Sequence, residues 1–177
     1  RQIASNFKLF IHRLRPSTME IERKFLTKNA DWKNRILNSE EIIQFYLTNL
    51  DQTPTVRLRI KGETGYLTVK YPSVSEAILA RDEFEYSIPK GDVLAQIKKA
   101  KSRVIYKTRH QVEGSDGHLW EIDEFQEPVK GLILAEIELS RIDEPFKIPS
   151  WAGKDVTMDG RYRNISLSFA ADDDLIP

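Results

Sequence analysis

The chain has 177 residues, of which 40% are hydrophobic, so it is long enough to bury the core of one domain. Its 27 basic and 27 acidic residues cancel, which argues against a nucleic-acid partner held by phosphate neutralisation, and the absence of cysteine excludes disulfides and thiolate sites. No apolar run approaches the roughly 18 residues of a membrane-spanning helix. No signal peptide is visible, so the sequence predicts a cytoplasmic protein without a membrane partner.

The first 18 residues are predicted to form an extension outside the main domain. Phe7, Phe10, Ile11 and Leu14 recur at helical spacing among basic residues. This pattern predicts a segment that docks loosely on the domain or frays.

The next part of the chain is predicted to consist mostly of strands. MEIERKFL (19–26) alternates charged and apolar side chains, as a strand with one buried face does, and a short helix is expected at 31–38. The segments that follow have the β-branched and aromatic content of strands, with a glycine-rich turn at 61–65: IIQFYLT (42–48), TVRLRI (55–60) and YLTVKY (66–71).

The clearest helix is predicted after ARDEFEYSI (80–88), a strand that Pro89 ends. GDVLAQIKKAKS (91–102) has an apolar stripe at helical spacing and an aspartate at the expected start. Asp92 is the expected N-cap, and the apolar stripe consists of Val93, Leu94 and Ile97.

The last part of the chain is predicted to hold three more strands, at 104–112, 118–125 and 132–140, with a turn at 113–117. After Pro149 the pattern is irregular, with helical turns expected near 154–158 and 164–169. The elements together predict an antiparallel meander of about eight strands.

Charge is distributed unusually along these strands, because one face of nearly every strand carries two charges of one sign. A charged face is ordinarily the solvated side of a sheet. However, a doublet of like charges costs stability unless an opposite doublet or an ion compensates it. The series is Glu20 and Glu22 followed by Lys24, Arg57 and Arg59, Glu83 and Glu85, Lys107 and Arg109, Glu121 and Asp123, and Glu136 and Glu138.

Closure of the sheet into a barrel would turn these charged faces into the lining of an interior. Such a lumen needs water, ions or a ligand, since buried unpaired charge is expensive. Clustered arginines and lysines suit a phosphate chain, and clustered carboxylates suit a hard cation such as Mg²⁺ or Mn²⁺. Both together describe a metal–polyphosphate site.

The order of the charged segments resembles that of one known family. The first strand contains acid-x-acid-x-Lys, as Glu20-Ile21-Glu22-Arg23-Lys24. Later segments follow in the expected order: Gln44-Phe45-Tyr46-Leu47, Arg57-Leu58-Arg59, Leu67-Thr68-Val69-Lys70, Glu83-Phe84-Glu85, Lys107-Thr108-Arg109, Trp120-Glu121-Ile122-Asp123, Ala135-Glu136-Ile137-Glu138, and Trp151 through Arg161-Tyr162. The first motif alone has little specificity, but the ordered series resembles the CYTH domain, or triphosphate tunnel metalloenzyme, family.

The resemblance implies a fold and its limits along the chain. The implied fold is mainly β with a few helices (α+β). Its eight antiparallel strands form a β-barrel tunnel with a charged interior. The domain is expected at residues 19–170, between the extension at 1–18 and an acidic tail at 171–177.

The resemblance also implies an activity. Family members bind a triphosphate-bearing small molecule with a divalent metal, so Mg²⁺ or Mn²⁺ is the expected cofactor. Chains of this compact length with this opening motif resemble the branch that hydrolyses inorganic tripolyphosphate to pyrophosphate and phosphate. Three alternatives stay open: a nucleoside or thiamine triphosphatase, a class IV adenylyl cyclase, and a non-catalytic polyphosphate-binding module.

The resemblance implies roles for individual residues. Phosphate oxygens would be held by Lys24, Arg57, Arg59, Lys70, Lys107, Arg109 and, as an addition, Arg161. Metal ions would be held by Glu20, Glu22, Glu136 and Glu138, with the acidic set completed by Glu83, Glu85 and Asp123. Tyr46 would hydrogen-bond Lys24 and position it as a catalytic group.

Other conspicuous residues are predicted to have ordinary structural roles. The histidines, His12, His110 and His118, lack the spacing of metal ligands. The tryptophans, Trp32, Trp120 and Trp151, are expected to pack in the core. An apolar patch on the outer wall of the barrel would allow two copies to form a homodimer, although no feature of the pattern selects this state.

Overall fold

Nine strands and two short α-helices make up the part of the chain that the structure describes, residues 19–72 and 80–171 of a computed structural model. The strands are β1 (Met19–Thr27), β2 (Ile36–Tyr46), β3 (Thr55–Lys61), β4 (Thr64–Lys70), β5 (Ala80–Pro89), β6 (Ile105–Glu113), β7 (Leu119–Glu127), β8 (Ile133–Leu139) and β9 (Ala152–Asp155). The helices are α1 (Lys90–Gln96) and α2 (Asn164–Phe169), with 3₁₀ turns at Asp31–Arg35, Ile97–Lys99 and Gly160–Tyr162. The predicted extension at 1–18 and nearly all of the predicted acidic tail lie outside the described residues.

Eight of the strands close into an antiparallel barrel, as predicted. The sheet runs in the order β5-β4-β3-β2-β6-β7-β8-β1, and β1 pairs with β5 to close the ring. β1 makes this closure because its first residues, Met19–Ile21, pair with β5 while Ile21–Leu26 pair with β8. The short β9 pairs with the far end of β1, outside the ring.

The apolar faces of the strands point outward from the barrel, and the charged faces point inward. Along β1, Ile21 and Phe25 join an apolar cluster, whereas Glu20, Glu22 and Lys24 line an internal cavity. Side chains alternate across a strand, so one choice of face decides the whole strand. The outer cluster also contains the three tryptophans, all buried as predicted: Trp32, Trp120 and Trp151.

Two further apolar clusters complete the core. One lies under α1, where Val93 packs with Phe45, Leu58 and Ile60. The other lies at one end of the barrel, where the C-terminal segment packs against inward-facing residues of the strands. Its members are Tyr46, Ile105, Phe125, Val129, Leu132, Leu134, Val156, Tyr162, Ile165 and Leu167. The C-terminal segment is therefore part of the barrel end and contacts the floor of the interior.

The prediction of a helix at 31–38 was wrong in its second half. Only Asp31–Arg35 forms a 3₁₀ turn, and β2 begins at Ile36 and ends at Tyr46. The reason is a long ladder, since β2 pairs with β6 from Ile36 to Gln44. Pairing with a distant strand overrides a weak local preference for helix.

The other helix predictions need smaller corrections. α1 begins at Lys90 and ends at Gln96, a 3₁₀ turn continues it to Lys99, and Asp92 does not act as the N-cap. Val93 is buried against the barrel, whereas Leu94, predicted in the same apolar stripe, is exposed. The expected helical turn near 154–158 overlaps β9, whereas that at 164–169 is confirmed as α2. No helix among the described residues has the length and apolar character to cross a membrane.

Candidate active site in the barrel interior

A cavity of about 810 Å³ occupies the interior of the barrel. Its wall brings together most of the side chains singled out in the sequence, contributed by all eight strands of the barrel. They are Glu20, Glu22, Lys24, Tyr46, Arg57, Arg59, Lys70, Glu83, Glu85, Arg109, Glu121, Glu136 and Glu138. The alternation of charged side chains along each strand is thus the cause of a charged lumen.

Lys24 is buried at the centre of the acidic part of the wall. Its ammonium lies 3.1 Å from Glu136 Oε1 and 3.6 Å from Glu22 Oε1, and it donates a hydrogen bond to the carbonyl of Tyr162 at 3.3 Å. Burial disfavours the charged ammonium, but Glu136 and Glu22 outweigh that effect, so the pKa of Lys24 is raised. Lys24 therefore carries a fixed positive charge inside the cavity.

The hydrogen bond predicted between Tyr46 and Lys24 is not formed among the described residues. Tyr46 lines the same cavity and is buried, but the Lys24 ammonium engages Glu136 and the carbonyl of Tyr162. A carboxylate attracts an ammonium more strongly than a neutral phenol does. Tyr46 thus remains a neighbour of the site and a proposed, not an observed, partner of Lys24.

The basic residues of β3 and β4 are held by the acids of β5. Arg59 donates to Glu85 Oε2 at 2.9 Å, and Arg57 lies 3.4 Å from the same oxygen. Lys70 bridges Glu20 and Glu83 at 2.5 and 3.0 Å. Burial lowers the pKa of Lys70, but these carboxylates raise it by more, so its pKa is raised overall. Acid and base therefore neutralise each other across the lumen.

Arg109 ties β6 to the acids of β7 and β8. Its Nε and an NH₂ group donate to the two oxygens of Asp123 at 2.7 and 2.8 Å, a bidentate pair, and the guanidinium also contacts Glu121 and Glu136. Burial opposes this charge, but Asp123 and Glu121 dominate and raise the pKa of Arg109. Arg109 therefore links three carboxylates of the two neighbouring strands.

Three predicted site residues are not brought into the cavity wall. Lys107 and Asp123 are buried beside it and pair with each other at 2.6 Å. Burial and Arg109 lower the pKa of Lys107 to about 8, with Asp123 acting against them. Arg161 is exposed and pairs with Asp159 at 2.6 Å, because Asp159 caps the 3₁₀ turn in which Arg161 lies.

Several wall residues were missed from the sequence. Arg81 and Arg163 line the cavity, and Thr68 donates to Glu85 at 3.0 Å while it accepts from Arg57. Arg81 could have been found, since it precedes Glu83 and Glu85 at the same period of two. Arg163 could not, because it follows an irregular turn.

Another missed contact joins the barrel to the C-terminal segment. Lys107 donates to Asn164 Oδ1 at 2.9 Å, and Gln44 donates to the same oxygen at 3.3 Å. The first residue of α2 is therefore attached to β2 and β6 by polar contacts. Sequence periodicity carries no information about such a contact between distant segments.

His118 also borders the cavity, at the turn between β6 and β7. Its Nδ1 lies 2.9 Å from Asp116 and its Nε2 lies 3.1 Å from Glu144. The hydrogen bond that Glu144 accepts from the ring raises the pKa of His118, and Asp116 adds to the effect. The two carboxylates contact different ring nitrogens and so hold the ring at the hairpin.

The carboxylates of the wall suit a hard divalent cation. Glu22 of β1 is the register partner of Glu138 of β8, so two acids face each other across neighbouring strands. No group of three or more His, Cys, Asp or Glu side chains among residues 19–72 and 80–171 is arranged to hold a metal by itself. Mg²⁺ is commonly held by one or two carboxylates, with waters and substrate phosphates as its other ligands. The donor set therefore fits an ion that binds together with a phosphate chain.

Comparisons with known proteins agree with this geometry. Residues 18–171 match the family model of the CYTH domain. An inorganic triphosphatase of Acetivibrio thermocellus is 37% identical over 152 residues, which cover 84% of this chain and 92% of that protein. An inorganic triphosphatase of Nitrosomonas europaea is 34% identical over 153 residues, which cover 85% of this chain and 97% of that protein.

Solved structures share the barrel. The crystal structure of the inorganic triphosphatase NE1496 aligns with a TM-score of 0.64 at 31% identity, over 85% of this chain and 95% of that chain. The PH1012 protein from Pyrococcus horikoshii, at 20% identity, has the same fold with a TM-score of 0.52 over 69% of this chain and 80% of that one. By its family model and its relatives, the chain belongs to the CYTH domain family.

Proposed function

We propose that this protein hydrolyses inorganic tripolyphosphate to pyrophosphate and phosphate inside the barrel, with Mg²⁺ or Mn²⁺ as the cofactor. The observation that carries the proposal is the wall itself, in which arginines and lysines face glutamates across an 810 Å³ cavity. Such a wall can hold a polyanion and a cation side by side. Both curated relatives are named inorganic triphosphatase, which supports the same reaction class.

Substrate binding exchanges one set of anions for another. In the structure, Arg57 and Arg59 share Glu85, and Lys70 lies between Glu20 and Glu83. Phosphate oxygens can take the place of these carboxylates on the guanidinium and ammonium groups, with similar charge-assisted hydrogen bonds. The acids released in this exchange then become available to balance a cation. The basic residues of β3, β4 and β6 would thus align the phosphate chain.

Glu22 and Glu138, with Glu20 and Glu136 close by on the same strands, would hold the divalent cation. When bound, the cation supplies charge neutralisation on the phosphate oxygens and lowers the pKa of a bound water. Glu83 and Glu85 would keep the basic residues oriented until phosphate takes their place. Asp123, which has no exposed surface, would do so from behind the wall through Arg109.

Lys24 would stabilise the charge that develops as the bond to the terminal phosphate breaks. Its ammonium is held by Glu136 and the carbonyl of Tyr162, so it does not need to reorganise during the reaction. Tyr46 shares the cavity with it and would keep water and substrate ordered at this end. In phosphoryl transfer, such positioning and charge stabilisation account for most of the catalysis.

The first test is phosphate release from inorganic tripolyphosphate, ATP and thiamine triphosphate, each with Mg²⁺, Mn²⁺ or EDTA. We expect fast metal-dependent release from tripolyphosphate and little from the other two, because the wall carries charges that recognise phosphate. Preferred release from ATP or thiamine triphosphate would assign a different substrate. The absence of release from all three would contradict a triphosphatase, and assay of cyclic AMP would then separate a cyclase from a binding module.

A further inference from the structure

Two arginines of the cavity wall differ from all the other cations there. Arg81 of β5 and Arg163, which precedes α2, both line the cavity. Neither side chain makes a hydrogen bond or an ion pair with any residue in the described ranges. The other lysines and arginines of the wall each have a carboxylate within 3.4 Å, namely Lys24, Arg57, Arg59, Lys61, Lys70 and Arg109.

The surroundings of Arg163 favour an anion. Its Nε is buried without a hydrogen-bond partner among the described residues. Burial and the positive charge of Arg81 lower the pKa of Arg163, whereas Tyr46 and Glu22 act in the other direction. An unpaired buried donor and two neighbouring cations both cost free energy, and a single anion between the cations removes both costs.

We propose that Arg81 and Arg163 form a separate phosphate-binding subsite, which holds one end of an oligophosphate chain beside Glu22 and Lys24. The inference rests on the proposed function and adds a subsite to it. A guanidinium presents two parallel N–H groups to a phosphate, so a pair of arginines can hold one phosphoryl group from two sides. The two arginines come from elements far apart in the chain, so bound phosphate would connect β5 to the C-terminal segment.

The barrel holds Arg163 in place through the residues on either side of it. Lys24 donates to the carbonyl of Tyr162 at 3.3 Å, and Lys107 donates to Asn164 Oδ1 at 2.9 Å. Both lysines are buried, so the backbone carbonyl before Arg163 and the side chain after it are each attached to the interior. These contacts fix the position of the chain at Arg163, which lowers the ordering cost of binding a phosphate there.

Arg161 offers the competing assignment, since it lies two residues earlier and has the same side chain. Its guanidinium is exposed and donates to both oxygens of Asp159 at 3.0 to 3.2 Å through Nε. The partner of Arg161 is therefore within its own turn, and its side chain does not line the cavity. The subsite is therefore assigned to Arg163, which lines the cavity, and not to Arg161, which is exposed.

The test is calorimetric titration of the metal-free protein with sodium tripolyphosphate, sodium pyrophosphate and sodium phosphate. We expect Arg163→Gln and Arg81→Gln each to weaken tripolyphosphate binding by about tenfold or more, because each loses a charge-assisted contact. The loss of tripolyphosphate affinity in the double variant should be smaller than the product of the two single-variant losses, since both residues hold the same phosphate. Arg163→Lys keeps the positive charge but loses the two parallel N–H groups of the guanidinium. Its affinity for tripolyphosphate should lie between those of the wild type and Arg163→Gln.

Controls and contrary outcomes follow from the same series. Arg141→Gln removes an exposed arginine that pairs with Asp143, so its affinity should equal that of the wild type. The free energy of unfolding of Arg163→Gln should not fall, because its removal relieves repulsion from Arg81. Wild-type affinity in Arg81→Gln and Arg163→Gln, a larger loss in Arg161→Gln, or no binding of tripolyphosphate to the wild type would each overturn the subsite.

The titration also separates the subsite from the proposed function. Binding is measured without metal and without turnover, so a wild type that binds tripolyphosphate but hydrolyses none of it contradicts the activity alone. Strict dependence of that binding on Arg81 and Arg163 would then still support the subsite.

Discussion

At the scale of single residues, the site is a set of charges that neutralise one another until a ligand replaces part of the set. Lys24 illustrates this, because its ammonium lies between Glu136 and Glu22 in a place that water hardly reaches. A buried charge of this kind is stable only when paired. The same pairs keep the basic side chains extended and ready for phosphate.

The role of Glu22 can be tested by a substitution that keeps its shape. We expect Glu22→Gln to lower metal-dependent turnover by about 100-fold or more, because a neutral amide binds a divalent cation poorly and the charge stabilisation is lost. A higher Mg²⁺ concentration should restore part of the rate. The measurement is phosphate release as a function of Mg²⁺ concentration, with thermal unfolding as the check on folding.

The matched control for Glu22 is Glu124→Gln. Glu124 is a strand residue whose carboxylate pairs with Lys33 and His110 outside the cavity wall. Its turnover should equal that of the wild type at every Mg²⁺ concentration. Full activity in Glu22→Gln would remove the metal role that we assign to this residue.

At the scale of elements, loops are attached to the barrel by polar contacts that respond to pH. His118 connects the β6–β7 turn, through Asp116, to the segment after β8, through Glu144. The Nε2 contact to Glu144 is a hydrogen bond, and the Nδ1 contact to Asp116 is an ion pair only when the ring is protonated. The pKa of His118 is raised in the folded state, so folding favours its charged form.

The raised pKa of His118 predicts how the stability of the protein changes with pH. The contribution of His118 is fully present below the ordinary imidazole pKa of about 6.5 and is lost as the pH rises through its raised value. Denaturant unfolding between about pH 6 and pH 8 should therefore show a decrease in the free energy of unfolding of the wild type relative to His118→Gln. The same slope in both proteins would show that another group is responsible.

At the scale of the whole molecule, stability and chemistry lie on opposite faces of the same strands. Ile137 of β8 is buried in the outer apolar cluster, and its neighbour Glu138 lines the cavity. The outer clusters contain the aromatic and aliphatic side chains that supply most of the hydrophobic stabilisation. Substitutions of outward-facing apolar residues should consequently lower stability, and substitutions of inward-facing charged residues should lower turnover.

A pair of neighbours on β8 tests this separation. We expect Ile137→Ala to lower the free energy of unfolding by about 2–5 kcal/mol, because it leaves a cavity in a packed cluster. Glu138→Gln should change it by less than about 1 kcal/mol and should lower turnover. Chemical denaturation of both variants, with phosphate release on the same samples, gives the comparison. Equal loss of stability in the two would refute the separation.

The residue patterns predict the antiparallel strands and their charged faces, and the resemblance to the CYTH family implies the closed barrel. Period-two alternation decides which side chains share a face, and a doublet of like charge costs stability unless opposite charges or an ion compensate it. The paired glutamates of β1 and β8, and the paired arginines of β3, were found in this way, since local chain geometry is enough to place them.

The positions of the irregular segments depend on tertiary contacts. The extended pairing of β2 with β6 replaced a predicted helix, the cap by Asp159 turned Arg161 towards solvent, and the packing of α2 put Arg163 into the wall. These outcomes depend on contacts between residues far apart in the chain, and such contacts leave no periodic signal. The sequence therefore determined the chemistry of the interior, and the tertiary contacts decided which cations reach it.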